Sequence, residues 1–138
     1  MSTAQEIADA IVANLSAASA LGDRISKTYD IIGRRDQWAA IVELRGCEKF
    51  PHQFGQFATS WTFDVVAYVM DTGNPLDVMN RILEVTDKAV QSLESDPTLQ
   101  GTVDRLSSVT VDREPGEAFE VRGRLWVPVR ISITAVSY

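Results

Sequence analysis

Few residues in this chain could do covalent or metal chemistry. It holds one cysteine, Cys47, one histidine, His52, and nineteen carboxylates. A thiolate beside an imidazole is the arrangement that activates cysteine, so Cys47 with His52 is the sharpest enzymatic reading of the sequence. The ordinary reading outweighs it: a cysteine at the end of a strand behaves as a small hydrophobe, and His52, next to Pro51 in a loop, is solvated. One sulfur and one imidazole cannot build a Cys/His zinc site, and a lone cysteine cannot close an internal disulfide. The glycines at 22, 33, 46, 55, 73, 101, 116 and 123 match neither G-x-G-x-x-G nor the Walker spacing, which argues against nucleotide hydrolysis. Glu43 and Asp64 could meet across strands, but acid/base work also needs a pocket and a shifted pKa, so solvated surface charge is their default. No catalytic, cofactor-binding or metal-binding residue is expected, and no cofactor.

The residues left to explain are better suited to contact than to catalysis. Gly46 to Ala58 reads as a loop, yet it carries Phe50, Phe54 and Phe57 beside Pro51, His52 and Gly55. Three phenylalanines so close together either fold back over the core as a lid or expose an apolar patch of the kind that marks partner surfaces. Both readings stand at this point. Arg34-Arg35 and Arg122 with Arg124 are local basic clusters in a chain of formal charge −6. They do not amount to a duplex-binding surface; they serve turn solubility or salt bridges to neighbouring copies. Arg34, Arg35, Phe50, Phe54 and Phe57 are the candidate interface residues.

The elements that must position these residues follow from periodicity. At 138 residues, 45% hydrophobic and 23% charged, the chain suits one domain spanning 1–138 with its own core. Thr3 and Glu6 have capping-box spacing ahead of Ile7, Ile11 and Leu15, predicting a helix from about Ala4 to Ala18. Trp38 to Arg45 reads as a strand, and Thr59 to Met70 as a clearer one, with Trp61, Phe63, Val65, Ala67 and Val69 on one parity. Asn74 as cap and Pro75 at the first helical position open a second helix that ends near Ser95. Its expected buried stripe is Leu76, Met79, Ile82, Leu83, Val90 and Leu93. A weaker strand at about Leu106 to Arg113 and a long one from Leu125 to Ala135 complete the order α-β-β-α-β-β, with Tyr29 to Ile32 a possible extra extended piece. Pro128 marks an edge or bulge in the last strand. The expected fold is α+β: a mostly antiparallel sheet of four or five strands with two amphipathic helices packed on one face. No apolar run approaches a membrane span, and the N-terminus has no secretory pattern, so a cytoplasmic protein without membrane contact is expected.

Against this frame, Trp61-Thr62-Phe63-Asp64-Val65-Val66, the helix opening after Asn74-Pro75, and Asp96-Pro97-Thr98-Leu99-Gln100-Gly101-Thr102-Val103-Asp104 give the sequence its affinity: along nearly its whole length it resembles the tail terminator, or tail completion, proteins of long-tailed bacteriophages. Gln100 departs from the pattern, standing where many relatives have a second glycine. The resemblance implies a virion protein, made in the host cytoplasm, that forms a ring, a hexamer, on the head-proximal end of the tail tube. It implies partners in copies of itself, the tail tube protein and head-to-tail connector proteins, with DNA passing only transiently through the bore. It implies no catalytic residues. A head-to-tail connector or minor tail protein is the neighbouring alternative. A small cytoplasmic enzyme or ligand-binding domain using the Phe50 to Phe57 loop as a lid is the alternative of another class.

Overall fold

Alternating apolar and polar side chains build a central strand, β3 (Phe57–Met70). In the computed structural model, which describes residues 2–17, 20–28, 31–32, 37–112 and 118–138, it is flanked by antiparallel partners on both sides. These are β2 (Trp38–Pro51) and β6 (Arg124–Ser137). Beside β2 lies a two-residue parallel strand, β1 (Ile25–Ser26). On the far side of β6 lie β4 (Arg105–Asp112) and the three-residue β5 (Phe119–Val121), both antiparallel to it. With helices α1 (Ala4–Leu15) and α2 (Pro75–Glu94), the architecture is α+β, and the sheet runs β1-β2-β3-β6-β4. Among the described residues six strands replace the expected four or five, because β1 and β5 are too short to show a periodicity. Ile31 and Ile32 sit in a 3₁₀ turn rather than an extra strand, and Tyr29 lies outside the described residues.

Both helices start where capping chemistry places them. Thr3 Oγ1 accepts the Glu6 N–H at 3.2 Å, and Asn74 Oδ1 accepts the Leu76 N–H at 3.1 Å, each satisfying a first-turn donor. The first helix ends at Leu15, the last residue of its buried stripe, short of the expected Ala18. Ile7, Ile11 and Leu15 of α1 join Val78, Ile82, Val85, Ala89 and Leu93 of α2 over Phe63, Val65, Ala67 and Val69 of β3 and Ile131 and Ile133 of β6. The helices are stitched together where Ser92 Oγ donates to Asn14 Oδ1 at 2.9 Å and Asn14 Nδ2 donates to the Ser92 carbonyl at 3.0 Å.

Only part of the expected α2 stripe is buried. Ile82 and Leu93 face the core, but Leu76, Met79 and Leu83 are exposed and Val90 is half-buried. The helix carries two apolar seams with the same three-and-four spacing, and spacing alone does not say which one meets the sheet. The seam of Val78, Ile82, Val85, Ala89 and Leu93 does.

Pro128 escapes a ladder penalty. Leu125 directs its carbonyl toward the β3 side, to the Asp71 N–H, so alternate residues, Pro128 among them, point the other way. On that side β4 pairs with 130–136 and β5 with 124–126, and the described ladder skips Pro128. After α2, Leu99, Gln100 and Gly101 are all left-handed, with φ of 49, 56 and 82°. Asp96 Oδ1 and Thr98 Oγ1 hold this turn by accepting the Gln100 and Gly101 N–H groups at 3.0 and 3.1 Å. Leu99, buried at its centre, pins the turn to the core.

Candidate functional site

The segment expected to be a loop from Gly46 to Ala58 is instead the outer half of a long hairpin. β2 and β3 are 14 residues each and stay paired from Trp38↔Val69 to Pro51↔Phe57, with one extra residue at Arg45. Only residues 52–56 form the tip, closed where the His52 N–H donates to the Gln56 carbonyl at 2.7 Å. The sequence hid this stem because it buries little surface on either side, so no alternation marks it. β1 covers β2 only at Ala40 and Ile41, which leaves residues 44–51 without a ladder partner on the side away from β3 among the described residues.

This stem separates the three candidate phenylalanines. Phe50 pairs opposite Ala58 and is half-buried, while Phe57 pairs opposite Pro51, one register on, and so lies on the other face of the stem. Phe57 is 59% exposed and Phe54, at the tip, 97% exposed. Neither ring covers the chain's own core, so the intrachain-lid arrangement is not what forms. Phe54 also takes a left-handed backbone conformation, φ 58° and ψ 38°, which is unusual for a bulky residue. Arg34 and Arg35 lie outside the described residues. Arg122, φ 53°, and Gly123, φ 76°, make the tight β5–β6 turn, a structural use for the second basic cluster.

The Cys47/His52 pair does not form. They are five residue steps apart along extended chain, about 16 Å at the usual strand rise. Cys47 is exposed in mid-strand opposite Trp61, rather than a hydrophobe at a strand end. His52 stacks on Tyr138, ring centroids 4.2 Å apart and planes at 22°. Glu43 and Asp64 do pair across β2 and β3. Asp64 is not solvated, however: it is 6% exposed, and each oxygen has a partner within the sheet. Ser132 Oγ donates to Oδ1 at 2.7 Å, Arg130 Nε lies 3.3 Å from Oδ2, and Arg45 approaches Oδ1 at 3.9 Å. Burial, reinforced by Glu43 and opposed by Arg130, raises the Tyr68 hydroxyl above its ordinary pKa. This network locks strands together. With its oxygens already committed, Asp64 is placed for structure rather than proton transfer.

Among the described residues no group of three His, Cys, Asp or Glu is placed to hold a metal ion. Among these same described residues no helix is long and apolar enough to cross a membrane. A cleft of about 300 Å³ lies between the start of α2 and the bases of β2 and β3, where Arg81 Nη2 donates to Gln37 Oε1 at 2.8 Å across its mouth.

A second exposed apolar surface lies at the opposite edge of the sheet. α1 packs on β1 and β2 and α2 on β3 and β6, so the side of α2 away from α1 faces the β4 edge. That side carries Leu76, 67% exposed, Met79 and Leu83, 53% exposed, with Val111 of β4 and Leu125 of β6 also uncovered. The available signal was an excess of apolar residues on α2 over what one face can use. Neither family models nor curated protein sequences yield a match to this chain.

Proposed function

We propose that this chain is a structural virion subunit that assembles with copies of itself into a ring, a hexamer, capping the head-proximal end of a bacteriophage tail tube. There it stops tube growth and offers the surface for head joining. One observation carries the reading: a projecting hairpin that presents Phe54 fully to solvent in a strained conformation, a feature suited to insertion into a partner. The resemblance of residues 61–66, 74–75 and 96–104 to tail terminators supplies the particular assembly. In this reading the α-β-β-α-β-β frame with both helices on one face is the shared terminator scaffold, and β1 and β5 are additions to it. The partners are further copies, the tube protein and the head-to-tail connector, and the location is the virion. The charge of −6 per copy suits a bore through which DNA passes without sticking.

The test is electron microscopy of polymerising tube protein with and without the purified chain. Tubes should become shorter and carry added density at one end. Phe54→Asp, with its circular dichroism unchanged, should abolish the capping. Tubes that elongate normally, or binding confined to the portal-side connector, would overturn the assignment.

A further inference from the structure

We infer that the β2–β3 hairpin of one copy docks alongside β4 and beneath the outer face of α2 of the next copy, an inference that rests on the self-assembly proposed above. The two surfaces lie at opposite edges of one sheet, the hairpin stem beyond β1 and the α2/β4 surface beyond β6. Joining opposite edges is a head-to-tail contact, which propagates around a ring, whereas a two-fold pair would use one surface twice. Both sides also present backbone that the described ladders leave unpaired, residues 44–51 of β2 and the outer edge of β4 beyond Leu106, whose own N–H donates to the Pro97 carbonyl. Laying the two together continues the sheet from copy to copy.

The side chains match in that arrangement. Leu44, Cys47, Lys49 and Pro51 pair opposite Phe63, Trp61, Thr59 and Phe57, which puts them on the helix-bearing face of the stem. Val111 pairs opposite Ile131 and so lies on the same face of β4. When the sheets join edge to edge, exposed Leu44 of one copy comes under exposed Leu76 and Leu83 of the next, and Phe57, about 20 Å further along the stem, lies toward Val90. Charge agrees with the fit. Lys49 carries the only charge on that face of the stem, since Glu48 is on the other face, opposite Ser60, and Arg45 reaches across to Asp64. The outer seam of α2 is rimmed by exposed Asp87 and Glu94, each one turn on from Leu83 and Val90.

The lone cysteine on the stem makes the contact testable. In a Met79→Cys variant, with the new thiol on the outer seam of α2, treated with a short bis-maleimide, Cys47 of each copy should link to residue 79 of the next. The product is a ladder of covalent oligomers ending at the ring size, where the unaltered chain gives dimers at most. Lys49→Glu should lower the ladder yield about threefold, and adding Asp87→Lys should restore it. The reaction is run on the protein at its highest soluble concentration and on tube ends. Dimers alone, no ladder in either setting, or no recovery in the charge-swapped pair overturns the docking. A ladder without tube capping sinks the tail assignment but not the docking; capped tubes without a ladder do the reverse.

Discussion

Phe54 holds a left-handed backbone that costs a residue with a side chain about 1–2 kcal/mol, and its exposed ring recovers none of this within the chain. Asparagine tolerates that conformation. Phe54→Asn should therefore raise unfolding stability by about 0.5–1 kcal/mol in urea titrations while reducing assembly, a stability gain at the expense of function. Asp64 makes the opposite trade. Removing its carboxylate takes the paired anion from Arg130 and the acceptor from the Ser132 hydroxyl. Arg130 and Arg45 also reach solvent, so the loss is smaller than for a sealed ion pair, and Asp64→Ala should cost about 2 kcal/mol. Tyr68 governs an alkaline response. Its folded pKa is raised, so above the ordinary phenol value the unfolded chain releases the proton first and stability falls as pH climbs further. Tyr68→Phe should remove that part of the alkaline decline, as followed by thermal melts between neutral and strongly alkaline pH.

On α2, two seams of equal periodicity have different work, and substitutions should separate them. Ile82→Ala opens a cavity under the helix and should lower stability by about 3 kcal/mol. Leu83→Asp, on the exposed seam, should change unfolding by no more than about 0.5 kcal/mol yet prevent oligomer formation in sedimentation. The same contrast sets how far the fold was legible. β3 and α2 were found almost to the residue because strict alternation and the Asn74-Pro75 start are local signals that tertiary packing does not alter. The choice between the α2 seams was not local, since it depends on which one the sheet happens to meet. The hairpin stem was misread for a related reason: its residues answer to no buried face within the chain, and Phe50, Pro51 and Gly55 imitate a loop. Of the candidate interface residues, Phe54 and Phe57 are the exposed ones, and the incongruity of aromatic residues in a polar setting is what marks them in the sequence. Leu76 and Leu83 are exposed too, but their spacing reads as core.

At the scale of the whole molecule, the proposed assembly sets apolar attraction at the two sheet edges against the repulsion of copies that each carry −6. A chain of this length is about 35 Å across. Two such charges at that separation in water repel by about 4 kcal/mol without salt. Screening at 10 mM salt, where the Debye length is about 30 Å, leaves roughly a third of this, and at 0.15 M, with a length of about 8 Å, almost nothing. Raising salt over that range should therefore strengthen each contact by about 1 kcal/mol. The same screening weakens rim pairs such as Lys49 with Asp87, but exposed pairs contribute only about 0.2–1 kcal/mol and keep part of it at close range. Repulsion outweighs these pairs, so self-association should increase as salt rises from 10 to about 150 mM, the concentrations at which screening changes most. Sedimentation equilibrium across that series measures it directly. Association that instead falls with salt would mean that ion pairs, rather than Leu44, Phe57, Leu76 and Leu83, hold the copies together.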